Sequence, residues 1–501
     1  MAHALDTAYD HGPRHSMFTA GLAPNGQPLT QAGSGPALKI ITCGSVDDGK
    51  STLIGRFLWD MQLVHDDRRT AVMDAATASN QAPDFSSLFD GLIAEREQGI
   101  TIDVCWHYHD TPQGRIVLID SPGHEQYSRN MATGASHADI AVLVLDARSG
   151  VKRQTLRHLA ILDLAGVRTI AIAVNKMDLV DWDRARFDEV KAECARALLH
   201  FPAIAWSAIP VAALSGDNVV NRSTSMPWYE GPTFADLLAQ GTSKPDAIHP
   251  FALPVQAVLR DGQDFRGAAG TIASGSVRPG DTVLSVLTGR QSRVRQVFKP
   301  DRPAADAHEG SAVTIVLDDD LDISRGDVLA APGTSLRAAS RFSARLVWLN
   351  DTASDTAVNC LLQTGNDLVP VSGLTVEGRL DLETLDRHAA VTCGPNDLAD
   401  VQVELARPVV LDAFSTTAKA GTFLLIDALS GGVLAGGTVT QVQDAESRTD
   451  TIAFVIDRAR LDRGLCADLG DDAASQAEYR RRATEAAILL RSAGVEVVIK
   501  I

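Results

Sequence analysis

The stretch Gly44-Ser45-Val46-Asp47-Asp48-Gly49-Lys50-Ser51-Thr52 decides the fold. It follows an apolar run at 38–42 and leads into a pattern that reads as a helix. Glycines at both ends let the backbone curl until successive N–H groups point at one polyphosphate, while the helix N-terminus behind them adds partial positive charge. In that setting Lys50 reaches the β- and γ-phosphates and Ser51 offers a hydroxyl to magnesium. The segment is therefore expected to be a phosphate-binding loop, with the nucleotide held by Gly44 through Thr52.

From this loop outward the chain reads as an α/β unit. Apolar runs at 38–42, 115–119, 140–145 and 169–174 alternate with helical patterns, which predicts a mostly parallel sheet covered by helices. In such sheets the ligand lies beyond the carboxyl ends of the strands, so the polar clusters that close these runs should converge. The second cluster is Asp120-Ser121-Pro122-Gly123-His124. Asp120 is placed to hold magnesium through water, Gly123 can turn its N–H toward a γ-phosphate, and His124 can orient an attacking water. Between the two clusters lies Arg96-Glu97-Gln98-Gly99-Ile100-Thr101. Thr101 reads equally well as a third oxygen ligand for magnesium while a γ-phosphate is present and as an ordinary β-branched strand residue, because 100–106 also reads as extended.

The third cluster is Asn175-Lys176-Met177-Asp178. A carboxylate at Asp178 can accept from both the ring N–H and the exocyclic amine of guanine, a donor pair that adenine lacks. Asn175 braces the loop in this reading, Lys176 lies along the base, and the backbone N–H of Ala213 meets the base oxygen. GTP with Mg2+ is the nucleotide pair so implied.

Length and composition frame the rest. A chain of 501 residues with 45% hydrophobic and 22% charged residues suits about three ordinary domains. A formal net charge of −17 argues against a broad nucleic-acid footprint. Six cysteines are scattered singly, with neither zinc nor disulfide spacing, which fits a reducing, cytoplasmic setting. No apolar run is long enough to span a membrane. Residues 1–36, rich in Gly, Pro and His, read as a flexible leader before a nucleotide domain at 37–243. Beyond about residue 245 short apolar runs recur between Gly, Pro and Asp turns, predicting two all-β barrels at 246–335 and 340–446, or else one large sandwich.

With these residues assembled, the chain resembles the translation-factor superfamily of GTPases. More closely it resembles the GTP-hydrolysing large subunits of bacterial heterodimeric sulfate adenylyltransferase. Carrying that match are 42–52, Asp90-Gly91-Leu92 with 95–103, Asn130-Met131-Ala132-Thr133-Gly134-Ala135-Ser136, Gly216-Asp217-Asn218-Val219, Ser225-Met226-Pro227-Trp228-Tyr229, 264–267 and Asp322-Ile323-Ser324-Arg325-Gly326-Asp327. The resemblance runs from about 37 to 442. It implies a small partner subunit, similar to ATP pyrophosphatases, that binds ATP and sulfate and joins them into adenosine 5'-phosphosulfate, while this chain couples GTP hydrolysis to that uphill step. The same domains would also suit a translation-factor-like carrier of RNA, or a GTP-binding scaffold without turnover. One departure is Ala212-Ala213-Leu214, where the family has Ser-Ala-Leu.

The tail, 449–501, resembles an internal piece of adenylylsulfate kinase. Gly464-Leu465-Cys466-Ala467-Asp468-Leu469-Gly470, Glu478, Arg481, Arg482 and Ala493-Gly494 carry that likeness. The kinase phosphate loop is absent, and Asp457-Arg458-Ala459-Arg460-Leu461-Asp462 stands where that family has Asp-Gly-Asp-Asn-Val-Arg. No kinase activity is expected from it.

Overall fold

The structure, a computed structural model, describes residues 37–79, 83–88, 101, 103–111, 114–240, 250–261, 265–300, 302–353, 360–365, 367–416, 420–443, 454–457, 473–492 and 497–500. The expected leader and the segments 96–100 and 464–470 lie outside the described residues.

Six strands form the first sheet: β1 (Leu38–Gly44), β2 (Cys105–Thr111), β3 (Gly114–Asp120), β4 (Ile140–Asp146), β5 (Thr169–Asn175) and β6 (Ala205–Pro210). Their order is β2-β3-β1-β4-β5-β6, with every pair parallel except β2 with β3. All seven residues of β4, Ile-Ala-Val-Leu-Val-Leu-Asp, are buried, as a central parallel strand covered on both faces requires. The helices α1 (Lys50–Asp60), α2 (Asp66–Ser79), α3 (Ser128–Ala135), α4 (Arg153–Leu164), α5 (Arg184–Leu198) and α6 (Phe234–Gln240) accompany them. One core joins Ile41, Leu143 and Ile172 to Met131, Leu159 and Phe187; the other joins Ile40, Val142 and Ala173 to Ile54, Phe57 and Phe234. Alternate residues of each strand thus feed opposite cores.

Two expectations are refined. The extended run at 100–106 gives a strand that begins only at Cys105, so Thr101 lies in the loop ahead of the sheet. The last strand of the sheet ends at Pro210, and the chain then folds into a compact loop in which Ala212 bridges Asp217.

Between residues 250 and 443 the described residues are all β, with two large sheets that have separate cores rather than one sandwich. The first, an eight-stranded sheet, runs from Ala252–Pro254 to Val328–Ala330. Backbone bonds from Ala273 to Ala252 and from Gln256 to Ala269 bring its ends together. The second contains seven strands between Arg337–Trp348 and Val433–Val442. It closes because Cys360–Thr364 pairs with both Asp367–Leu380 and Thr422–Asp427. Closure removes exposed edges. Phe342 and Trp348 are fully buried in its core, each contributing about 1.5–3 kcal/mol by burial.

Two family-specific segments prove to be packing devices. Trp228 donates its indole N–H to the Trp182 carbonyl at 3.0 Å and stacks at 5.6 Å on Phe187 of α5. Asp327 is buried and accepts from Ser285 Oγ at 2.6 Å and from the Leu287 N–H at 3.1 Å. The second barrel docks on the α/β unit: Val347, Leu382, Leu385 and Leu398 join the core that holds α4, and Arg345 meets Asp163 at 3.0 Å. In the tail, strand Phe454–Asp457 pairs in parallel with Val497–Lys500, with helix Ala473–Ser492 between them. Among the described residues no helix is long and apolar enough to cross a membrane.

Candidate functional site

Beyond the carboxyl ends of β1, β3 and β5 lies a cavity of about 310 Å³. Its walls include Val46, Asp47, Gly49, Lys50, Ser51, Thr52, Thr101, Gly123, His124 and Lys176, together with Ser86. Residues from three strand ends and one connecting loop therefore share one space, as the rule for open α/β sheets demands.

The phosphate loop is held by its own side chains. Asp48, 1% exposed, accepts the Ser45 N–H at 2.8 Å and forms an ion pair with Lys152 Nζ at 2.7 Å. Gly49 takes φ +90°, and a Cβ there would stand 2.4 Å from Asn175 Nδ2, so only glycine fits between the phosphate loop and the base loop. Lys50 is buried and donates to the carbonyls of Gly44 at 3.1 Å and Ser45 at 3.2 Å. Burial pushes its ammonium below the ordinary range, against the pull of Asp120 and Asp48. A buried cation resting on neutral carbonyls is poised to gain from an anion.

At Gly123 a Cβ would lie 2.6 Å from Lys50 Nζ and 3.0 Å from the Gly44 carbonyl, so any side chain here would displace the lysine or press on the phosphate loop. His124 is half-buried and edge-on to Tyr127 at 6.3 Å, and its imidazole makes no hydrogen bond among the described residues. Asp120 accepts the Thr42 hydroxyl at 2.8 Å and the Thr101 hydroxyl at 3.0 Å. Ser51, Thr101 and Asp120 offer two hydroxyls and a carboxylate, an all-oxygen donor set that fits a hard divalent cation.

The base loop is braced from within. Asn175 donates to the Asp48 carbonyl at 2.9 Å, and its Oδ1 accepts the Ala213 N–H at 3.0 Å. The Ala213 N–H, expected to meet the base oxygen, here donates to Asn175, which thereby spans both loops. The next residue, Leu214, is 55% exposed and its N–H makes no hydrogen bond among the described residues. Lys176 takes φ +62°, pairs with Asp146 at 3.1 Å and also donates to the Asp47 carbonyl. Asp178 is half-buried, with no hydrogen bond among the described residues.

Sequence reasoning missed Asp146, Lys152, Thr42 and Ser86. Asp146 ends β4 as Asp120 ends β3, so the strand-end rule already pointed to it. Burial works to raise its carboxyl, but hydrogen bonds from Arg148 and Lys176 outweigh that and hold it well below the usual range.

The fold and this constellation define a GTP-binding protein of the translation-factor type. The family described as Elongation factor Tu GTP binding domain matches residues 36–277, and that described as GTP-eEF1A C-terminal domain-like matches residues 341–440. Sulfate adenylyltransferase subunit 1 of Laribacter hongkongensis is 43% identical over 415 residues, covering 81% of this chain and 85% of that protein. The protein of the same name from Rhizobium meliloti is 40% identical over 466 residues, covering 92% of each. The bifunctional enzyme NodQ of Rhizobium tropici is 37% identical over 522 residues, covering 94% of this chain and 82% of its own length, a span that must extend into the tail. The chain belongs to the sulfate adenylyltransferase subunit 1 family.

Proposed function

We propose that the chain is the GTP-hydrolysing subunit of a sulfate adenylyltransferase, coupling GTP hydrolysis to the formation of adenosine 5'-phosphosulfate and pyrophosphate from ATP and sulfate. The observation that carries this reading is the shared cavity of phosphate loop, Thr101, Gly123, His124 and Lys176, in a chain whose relatives bear that name. Gly44 through Thr52 wrap the phosphates, with Lys50 leaving its loop carbonyls for the β- and γ-oxygens. Ser51, Thr101 and Asp120 would hold Mg2+, which would offset negative charge on the phosphates. His124 orients the water whose oxygen bonds to the γ-phosphorus as the bond to the β-phosphate oxygen breaks, releasing GDP and phosphate. Asp178 reads guanine, Lys176 lies along the base, and the loop at 212–214 faces the base oxygen with Leu214 N–H as its donor.

The partner is a small subunit resembling ATP pyrophosphatases that binds ATP and sulfate, and the pair works in the cytoplasm without nucleic acid or membrane. Loss of the γ-phosphate frees Thr101 and Gly123 to move, giving the two states that coupling requires. The tail, lacking a phosphate loop, contributes no kinase activity. The test is pyrophosphate release by the chain mixed with its small subunit, supplied with ATP and sulfate, with GTP, a non-hydrolysable analogue, or neither. Stimulation by GTP alone, lost on Lys50→Ala, is expected; equal rates in all three would overturn the reading. Purified chain that retains RNA would favour the carrier reading instead.

A further inference from the structure

Helix α4 carries a buried polar relay that neither the phosphate loop nor the base loop uses. Arg157, its side chain 4% exposed, meets Glu125 at 2.5 Å. Its other terminal nitrogen donates to Gln154 Oε1 at 3.0 Å, and the Gln154 amide nitrogen stands 2.9 Å from His158 Nε2. His158 is fully buried, and burial, followed by the charges of Lys50 and Arg157, pushes it down to about 3. It is therefore neutral; because Arg157 can only donate, the Gln154 carbonyl faces it, the Gln154 amide N–H donates to His158, and Nε2 is the unprotonated ring nitrogen. The guanidinium is fixed from behind.

What it is fixed toward is the residue after His124. Glu125 opens a single turn of 3₁₀ helix, Glu125–Tyr127, too short to hold its own place. Ser128 donates to the Glu125 carbonyl at 2.6 Å, and Arg157 grips its carboxylate, held below the usual range by that hydrogen bond. His124 is joined to Glu125 by one peptide bond, so the ion pair anchors the backbone from which the imidazole projects.

We propose that Arg157 is a positioning residue for GTP hydrolysis, holding His124 at the cavity through its ion pair with Glu125; this rests on the role given to His124 above. The cost of removing the pair falls on hydrolysis and not on nucleotide binding, because neither residue lines the cavity. Glu125→Gln, which keeps an acceptor for Arg157, retains most of the rate.

The test is single-turnover GTP hydrolysis and GTP affinity of the full chain carrying Glu125→Ala, Glu125→Gln or Arg157→Gln, each alone and together with His124→Ala, with thermal melting read alongside. Glu125→Ala and Arg157→Gln should each slow hydrolysis by about tenfold to a hundredfold at unchanged affinity, as a displaced catalytic group does. Neither should slow it further once His124 is alanine. Unchanged hydrolysis in a folded variant, or losses that multiply with that of His124→Ala, would overturn the proposal. If His124→Ala alone left hydrolysis intact, the assignment of His124 would fail first, and visibly so. Should Arg157→Gln not fold, the two Glu125 variants carry the test, since that side chain is 55% exposed.

Discussion

The two halves of the nucleotide cavity differ in how much of them is already built. On the base side, Asn175 ties the phosphate loop to the loop at 213, and Lys176 is pinned by Asp146, with every bond internal to the protein. On the γ-phosphate side, Thr101 rests on Asp120 by one hydroxyl, Lys50 borrows carbonyls, and the His124 imidazole has no hydrogen bond among the described residues. The loops that frame the base half are braced within the protein, leaving the Asp178 carboxylate to read the base, whereas on the γ-phosphate side the working groups themselves rest on single hydroxyl or carbonyl contacts. A preformed base pocket fixes which nucleotide binds; an unfinished phosphate pocket lets the protein sense which phosphates it carries.

Substitutions can break that contrast at either end. Lys50→Ala removes two charge-assisted bonds to phosphate, each about 1.5–3 kcal/mol, so affinity for GTP should fall by about a hundredfold or more in equilibrium titration. Asn175→Ala removes two bonds of about 1 kcal/mol each, and should weaken GTP and GDP alike by about thirtyfold. Thr101→Ala should weaken GTP by only a few-fold and leave GDP untouched, since its hydroxyl matters only with the γ-phosphate in place. If Thr101→Ala and Asn175→Ala changed the two nucleotides in the same ratio, the two halves would not be distinct. A further effect is on stability. Folded His158 refuses a proton that the unfolded chain takes up below 6.5, so stability should fall as pH drops from that value toward about 3. The slope is at most about 1.4 kcal/mol per pH unit. Melting temperatures of His158→Gln should lack that part of the decline.

Much of the site was legible because strand ends announce themselves. Apolar runs closing on Asp120 and Asn175 could only place those residues at one edge of the sheet, and the phosphate loop fixed which edge. Pairings across long sequence gaps were not legible. Lys152 with Asp48 and Arg157 with Glu125 join residues whose proximity depends on how α4 packs, which no local pattern encodes. The bond from the Ala213 N–H to Asn175 was hidden for a related reason: it depends on the way the Asn175 amide faces. Thr101 could not be separated from a strand residue until the start of β2 at Cys105 was known.

The central claim is that hydrolysis of GTP here and adenylyl transfer in a partner drive one another. The most direct measurement is GTP turnover by the chain with its small subunit, with and without ATP and sulfate together. The account predicts that GTP is hydrolysed markedly faster when both are present, and that Lys50→Ala abolishes the increase. GTP turnover indifferent to ATP and sulfate would contradict it.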